Sequence, residues 1–319
     1  MSSAVSSFDV VIVGAGPAGL SAALILGRCR RKVLICDRGT PRSWASKAMH
    51  GFLTRDGIPP AEFAALARAE LGRYPSVHFE AHEVRQARPV AAGFEVIVGE
   101  RTVQARKLLI ATGLADELPA IEGLDALFGT SVFQCPYCDG WEVRDQPVAA
   151  YGKRGRGLQM ARALTAWTRD VVLCTDGPCG YSPADLQHLE RNGIRLLQQR
   201  IQRLEGTDGM LQNIVFRDGT VLPRSALFFD TPSHGQSDLT AQLGCRFNRN
   251  GGVLCGQYEA TSVAGVYVAG NIIRNVQLSI VAAAEGANAA FGINRALTRE
   301  DFEGRATGAR VVEHTGPAS

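Results

Sequence analysis

The chain has little excess charge of either sign. Its 34 Lys and Arg residues nearly balance 31 Asp and Glu residues, which leaves a net charge of +3 over 319 residues. Because no basic stripe is present, we expect no nucleic-acid partner. The eight cysteines are irregularly spaced, and we expect no cleavable leader. We therefore expect a reducing compartment, the cytoplasm, and no secreted disulfide framework.

The sequence also lacks an uninterrupted membrane span. The uncharged run from Val10 to Gly27 has the necessary length, but Gly14, Gly16, Pro17 and Gly19 interrupt it and no basic segment precedes it. This pattern predicts a buried strand, a tight turn and a helix, so no membrane association is expected. The length and the apolar content of 45% suggest roughly two globular domains of about 150 residues each.

The first motif is a β-turn-α-β unit. A buried strand leads into Gly14-x-Gly16-x-x-Gly19, a helix follows, and a second strand ends at Asp37, 23 residues after Gly14. Gly14 permits the turn, Gly16 lets the backbone approach a pyrophosphate, and Gly19 lets helix and strand pack closely. An acid at this distance suits an adenosine ribose hydroxyl. The unit predicts a dinucleotide site, the alternative being a glycine-rich turn without a ligand.

A second β-turn-α-β unit begins 138 residues later. Gly152 and Gly157 occupy the outer motif positions, but Arg154 replaces the middle glycine, and Asp176 follows the second strand. The arginine side chain obstructs a pyrophosphate and the carboxylate repels a 2′-phosphate, so NADP(H) binding is doubtful. A retained but empty domain and ordinary NADPH binding both stay open.

A pair of cysteines, Cys135 and Cys138, lies in the segment FQCPYCDGWEV. The C-x-x-C spacing serves zinc sites, packed thiols and redox disulfides alike. Zinc needs about four ligands, and the other close cysteine pair, Cys174 and Cys179, has no histidine-rich partner. We therefore predict no metal and favour a redox disulfide over packed thiols.

The two dinucleotide-type units and the motif C-P-Y-C-D-G-W-E resemble the low-molecular-weight thioredoxin reductase family. The motif is similar to a subgroup that includes thioredoxin-reductase-like flavoproteins and dithiol oxidases of disulfide natural products. The resemblance implies an α/β fold of two Rossmann-like three-layer nucleotide-binding domains. Residues 1–115 and 245–319 would form a discontinuous FAD-binding domain, and residues 116–244 an inserted central NAD(P)H-domain-like domain carrying the cysteines. It also implies a homodimer.

The resemblance implies roles for individual residues as well. Cys138 would exchange electrons with the flavin, Cys135 would react with the substrate, and Asp139 would serve as the acid/base, with a helix cap as its alternative role. The residues implied to contact FAD are Gly14, Gly16, Pro17, Ala18, Asp37, His50, Val84, Thr112, Gly113, Gly270, Asn271, Gln277 and Leu278. Asn271 replaces the acid usual in the family and retains an acceptor for a ribityl hydroxyl.

Three functions follow from these expectations. The first is an FAD-dependent thiol-disulfide oxidoreductase acting on a thioredoxin-like protein or a small dithiol or disulfide. The second is a dithiol oxidase that passes electrons to oxygen, a direction that needs no NADPH. The third is a non-enzymatic flavin sensor, in which the two cysteines never exchange with the flavin.

The terminal segment from Glu300 to Ser319 shows no periodicity of its own. It is predicted to lie beyond the last helix as an unstructured terminus. An alternative, by resemblance to relatives with C-terminal extensions, is that His314 covers the flavin of its own or a partner subunit.

Overall fold

A computed structural model describes residues 6–274 and 276–309. The strands are β1 Ser7–Val13, β2 Val33–Cys36, β3 Val77–Glu80, β4 Val84–Val90, β5 Gly93–Val98, β6 Arg101–Ile110, β7 Leu114–Asp116, β8 Val132–Phe133, β9 Val148–Tyr151, β10 Val171–Cys174, β11 Arg195–Leu197, β12 Ile201–Thr207, β13 Met210–Phe216, β14 Val221–Pro223, β15 Ala226–Phe229, β16 Ser233–Gly235 and β17 Val266–Val268. The helices are α1 Pro17–Arg28, α2 Pro60–Leu71, α3 Leu124–Leu127, α4 Pro136–Asp139, α5 Arg154–Leu164, α6 Pro183–Arg191, α7 Leu239–Gln242 and α8 Ser279–Ala309.

The chain divides into two compact units. Unit 1 comprises the described parts of Met1–Pro41, Ala61–Leu114 and Gly235–Ser319. Unit 2 comprises Arg42–Pro60 and Ala115–His234. Each unit contains its own β-turn-α-β element, so the predicted α/β fold class with two nucleotide-binding-type units is confirmed.

Unit 1 is built on a seven-stranded sheet in the order β3-β2-β1-β6-β5-β4, with β17 also paired to β6. The strands β3, β2, β1, β6 and β17 are parallel, whereas β4, β5 and β6 form an antiparallel element. The central strand β1 is apolar on both faces because layers cover both. Val10 and Ile12 pack with the helices α1 and α8, and Val11 and Val13 pack on the opposite side.

Unit 2 repeats this plan with a five-stranded parallel sheet in the order β11-β10-β9-β15-β8. Val148 and Ala150 of β9 face Leu164 of α5 in one core. Ala149 faces the other core, which contains Phe216 from the antiparallel sheet β12-β13-β14. The parallel strands end at the same edge, and Gly152 begins the turn into α5 there.

Two segments lie in a different unit from the one predicted for them. Residues 235–244 were predicted within the central domain 116–244 but belong to unit 1. Residues 42–60 were assigned to the nucleotide-binding domain 1–115, but they pack in unit 2. Arg42 forms a two-pronged ion pair with Asp116, at 2.5 and 2.6 Å, and Gly129 packs against the backbone of Ala45. These contacts are long-range and leave no local sequence signal. The domain boundaries 1–115, 116–244 and 245–319 themselves stay a prediction.

The last helix extends further than expected. The segment from Glu300 was predicted to be non-helical, yet α8 continues to Ala309. Asp301 pairs with Arg31 at 2.7 Å and with Arg106 at 2.8 Å, and Glu300 pairs with Arg106 and Lys107. These ion pairs tie the additional turns to unit 1. Within the described residues, no helix combines the length and apolar character that a membrane crossing requires.

The crossing of α1 and α8 predicts the effect of a single methyl group. A Cβ on Gly286 would collide with the backbone carbonyl of Ala18. Because neither backbone can yield as a flexible side chain would, we expect Gly286→Ala to destabilise the protein by about 1–3 kcal/mol. Thermal unfolding followed by circular dichroism measures this loss.

Gly304→Ala is the matched control on the same helix. A Cβ there meets nothing within 4 Å, so the usual helix preference for alanine should raise stability by about 0.5–1 kcal/mol. Equal melting temperatures for the two variants would contradict the described crossing.

Candidate functional site

The turn between β1 and α1 brings its backbone into unusually close contact. Gly14 has a φ of +104°, and a Cβ there would collide with the carbonyl of Ala111. A Cβ on Gly19 would likewise collide with the carbonyl of Gly14. Gly16, the N-cap of α1, is different because the space around its Cβ position is open for 4 Å. The turn therefore leaves room for a ligand group at Gly16 and at the N-terminus of α1.

The predicted residues at the other strand ends of unit 1 are placed individually. Asp37 follows β2, where its carboxylate accepts a hydrogen bond from the Gly39 N–H at 3.3 Å and lies 3.4 Å from the Arg68 guanidinium. Thr112 follows β6, and its buried hydroxyl has no hydrogen-bond partner among the described residues. Gly113, with a φ of +70°, has open space around its Cβ position. Val84 is buried in β4.

The C-terminal part of unit 1 reaches the same turn. A Cβ on Gly270 would lie 3.2 Å from the Cβ of Ala18, next to Pro17 in the first turn of α1. The Gly270 N–H donates to Glu285 at 2.8 Å, and Asn271 begins a short 3-10 helix.

Four of the predicted cofactor contacts remain to be placed. Gln277 is exposed and Leu278 is half-buried immediately before α8. His50 belongs to unit 2, and the turn at Gly14 belongs to unit 1. His314 lies outside the described residues.

These features fit a dinucleotide such as FAD. The open cradle at Gly16 suits a pyrophosphate, Asp37 follows the second strand where a ribose is expected, and the unpaired hydroxyl of Thr112 requires a polar partner. Gly270 lies against Ala18, beside the same turn.

The two cysteines of unit 2 form a disulfide across α4. Cys135 and Cys138 have Cα atoms 5.2 Å apart. Cys135 is the N-cap of α4, and its sulfur accepts the Cys138 N–H at 3.2 Å. Gly140 follows the helix, and a Cβ there would lie 2.7 Å from the Trp167 ring, so the indole covers this end of α4. The structure thus brings the predicted redox pair together.

Asp139 follows directly after Cys138 and is half-buried. Burial raises the pKa of its carboxyl to about 7, an effect that His50 opposes and Glu142 reinforces. Such an acid changes protonation near neutral pH and can both give and accept a proton. Its backbone N–H donates to the Cys135 carbonyl oxygen, and within the described part of the chain its side chain makes no capping bond for α4.

His50 approaches the disulfide segment from another part of the chain. Its Nε2 lies 3.6 Å from Glu142 and its Nδ1 lies 3.5 Å from Asp56. The imidazole is largely buried, with 20% of its surface exposed. Sequence reasoning singled out His50 but missed both carboxylates. Glu142 lies three positions after Asp139 in the sequence, and this spacing could have indicated it. The Asp56-Gly57 pair is typical of a turn and could have indicated Asp56.

The second glycine turn has the same close contact between its outer glycines as the first turn, but its middle position is an arginine. A Cβ on Gly157 would collide with the carbonyl of Gly152, as at Gly19 and Gly14. Arg154, however, begins α5 with a φ of +52°. Asp176 is engaged within the unit because its carboxylate accepts the Ile201 N–H at 2.9 Å.

The chain is similar to known proteins over nearly all of its length. The model of the pyridine nucleotide-disulphide oxidoreductase family matches residues 8–286. The thioredoxin reductase tcpT of Claviceps purpurea is 31% identical over 283 residues, covering 84% of this chain and 88% of the relative.

Solved structures agree with this similarity. The crystal structure of HlmI superposes with a TM-score of 0.91 at 33% identity, covering 96% of this chain and 98% of that one. An oxidoreductase from Agrobacterium tumefaciens gives 0.85 at 30% identity, covering 92% and 99%. The matched region includes the glycine turn at Gly14, the Cys135–Cys138 disulfide and the second turn at Gly152. The chain therefore belongs to the pyridine nucleotide-disulphide oxidoreductase family, as a thioredoxin-reductase-like member.

Proposed function

We propose that the protein is an FAD-dependent thiol-disulfide oxidoreductase that works through the Cys135–Cys138 couple and uses NADPH poorly. The observation that carries this proposal is the disulfide at α4 with an acid beside it whose pKa is about 7. A structural disulfide needs no such acid, whereas thiol-disulfide exchange must move a proton with each thiol that reacts.

The two cysteines take different roles. Cys135 is the cysteine that reacts with substrate, because the Cys138 N–H stabilises a thiolate on its sulfur. By the family resemblance, Cys138 would exchange electrons with bound FAD. When a substrate dithiol is oxidised, one of its sulfurs attacks Cys135 and displaces the Cys138 sulfur, which gives a mixed disulfide. The second substrate sulfur then displaces Cys135, which leaves the substrate disulfide and the enzyme dithiol. The reverse sequence reduces a substrate disulfide.

Asp139 moves the proton in either direction. Below pH 7 its carboxyl is mostly protonated and can donate to a leaving thiolate. Above pH 7 it is mostly ionised and can accept a proton from an entering thiol. Oxidation of a dithiol should therefore speed up as the pH rises through about 7, and reduction of a disulfide should slow down.

The cofactor contacts of unit 1 are Gly14, Gly16, Pro17, Ala18, Asp37, Thr112, Gly113, Gly270 and Asn271. When bound there, FAD supplies an acceptor and donor of an electron pair for the cysteine couple. Gly16 would leave space for the pyrophosphate, Asp37 would hold a ribose hydroxyl, and the Thr112 hydroxyl would donate a hydrogen bond to the cofactor. The predicted contacts at His50, Val84, Gln277, Leu278 and His314 stay predictions.

The exposed aromatic rings close to the disulfide in sequence are suited to contact with an organic substrate. Tyr137, between the two cysteines, is 73% exposed, and Trp141 is 64% exposed. Arg144 stacks on the Trp141 ring with 4.1 Å between guanidinium carbon and centroid. These rings offer apolar contact to a thioredoxin-like protein or a small dithiol. The cytoplasmic location and the homodimer stay predictions.

The second glycine turn favours a second candidate, a dithiol oxidase that transfers electrons to oxygen. Arg154 places a side chain where Gly16 leaves open space, and Asp176 puts a carboxylate after the second strand. Both features oppose NADPH, and dithiol oxidation does not require it. Anaerobic reduction of the flavin by dithiols, NADPH or NADH, followed by admission of oxygen, separates the two candidates. Rapid reoxidation of the flavin with continued dithiol consumption supports the oxidase.

The open space at Gly16 predicts the effect of a larger side chain there. Gly16→Val leaves the fold intact because nothing lies within 4 Å, but it fills the cradle. We expect the wild type to purify with one FAD per chain and the variant to lose most of it, measured as the ratio of flavin to protein absorbance. Gly155→Val, at an equally open position of unit 2, is the control. A full flavin content in Gly16→Val would refute this site.

The cysteine roles predict different outcomes for two serine variants. Cys138→Ser should stop small dithiols from bleaching the flavin, because it removes the sulfur that is proposed to pass electrons to the flavin. Cys135→Ser keeps the Cys138 thiolate and should add long-wavelength absorbance to the oxidised flavin. Cys29→Ser, at an exposed free cysteine, should behave as wild type. Bleaching at the wild-type rate in both site variants would show that the couple is not used.

The position of Arg154 in the second turn predicts how removal of its side chain changes NADPH binding. NADPH should bleach wild-type flavin slowly, and Arg154→Gly should tighten NADPH binding on the order of tenfold, about 1.4 kcal/mol. Stopped-flow absorbance over a range of NADPH concentrations gives the rate constant for flavin bleaching and the dissociation constant of NADPH. Arg169→Gly, an exposed site in the same unit, controls for lost charge. Rapid wild-type bleaching at micromolar NADPH would contradict the prediction.

A further inference from the structure

A largely buried histidine lies between two carboxylates beside the disulfide segment. The imidazole of His50 reaches Asp56 with one nitrogen at 3.5 Å and Glu142 with the other at 3.6 Å. Asp56 belongs to the same loop as His50, whereas Glu142 belongs to the turn that follows α4. The histidine thus joins the segment 42–60 to the segment that carries the cysteines, within unit 2.

The loop around His50 is built to hold the ring. Met49 and Ile58 close the loop by a backbone bridge, in which the Met49 N–H donates to the Ile58 carbonyl oxygen at 2.8 Å. The Asp56 carboxylate accepts the Gly51 N–H at 2.7 Å, which fixes the carboxylate on the Nδ1 side of the ring. A Cβ on Gly57 would lie 3.8 Å from the imidazole, so the turn at Gly57 lies near the ring.

The charges that act on Asp139 come from this contact. His50 favours the ionised carboxylate and Glu142 disfavours it, while burial is the largest influence. Trp167, which packs on Gly140 at the end of α4, carries no charge. Asp56 acts on the other side of the imidazole. His50 and Glu142 therefore influence Asp139 with opposite signs.

We propose that His50 is a positioning residue for thiol-disulfide exchange, which, with Asp56 and Glu142, sets the protonation of the Asp139 carboxyl. This inference rests on the proposed function of the Cys135–Cys138 couple. The His50 side chain favours the carboxylate that forms when Asp139 accepts a proton from an entering thiol. Asp139 then passes that proton to the cysteine thiolate displaced in the same exchange, so the exchange neither gains nor loses a proton. In the reverse direction Asp139 protonates the leaving substrate thiolate.

The test is the pH dependence of one exchange reaction of the holoenzyme. The first-turnover rate of oxidised dithiothreitol formation, measured anaerobically between pH 5.5 and 8.5, follows oxidation of a dithiol as the enzyme disulfide is reduced. Asp139→Asn supplies the background without the proton acceptor. For wild type we expect a rise with a midpoint near 7.

Two variants should move that midpoint in opposite directions. His50→Gln removes the attracting charge, so the midpoint should rise by about half a pH unit, a rate about threefold lower at pH 6. Glu142→Gln removes the repelling charge, so the midpoint should fall. The double variant should lie between them. Damage to the loop around His50 alone would lower the rates without moving the two pH midpoints in opposite directions.

His188→Gln, an exposed histidine on α6 of the same unit, is the control and should keep the wild-type midpoint. If the wild type forms no oxidised dithiothreitol in the first turnover, the proposed function fails and this inference with it. If the wild type shows the rise but the single variants share its midpoint or shift in the same direction, only the role of His50 is contradicted.

Discussion

Unit 1 depends on backbone contacts that leave no room for a side chain. Gly19 lies against the Gly14 carbonyl and Gly286 against the Ala18 carbonyl, so β1, α1 and α8 approach one another through their main chains. This approach places the N-terminus of α1, Gly270 and the unpaired hydroxyl of Thr112 in one unit. The proposed cofactor contacts are thus a consequence of how the helices pack. A side chain at these glycines would separate the elements before it touched a ligand.

The same architecture in unit 2 supports different chemistry. Gly152 and Gly157 retain the close contact of the turn, which maintains the packing of α5 on the sheet. Arg154 changes the position that a pyrophosphate would approach. The packing role of the motif and its ligand role therefore reside in different positions. The proposed chemistry of unit 2 is instead concentrated at α4. A sulfur at the N-cap, a neighbouring acid and a histidine from a separate segment lie there.

The sequence predicts what depends on local spacing. The turn at Gly14, the pairing of Cys135 with Cys138 and the second turn are recognisable because their residues are neighbours in the chain. The position of residues 42–60 and the length of α8 were not predictable. They depend on ion pairs such as Arg42 with Asp116 and Arg31 with Asp301, whose partners are far apart in sequence. The environment of His50 was missed for the same reason, since Glu142 lies in the other segment.

The central claim is that the cysteine couple and one FAD act as a single redox unit. Anaerobic titration of the oxidised holoenzyme with a strongly reducing dithiol, followed by flavin absorbance and thiol counting, tests it most directly. The account predicts that full bleaching consumes about two equivalents of dithiol per FAD, one for the disulfide and one for the flavin. Bleaching complete at one equivalent, with the Cys135–Cys138 disulfide still oxidised, would contradict it.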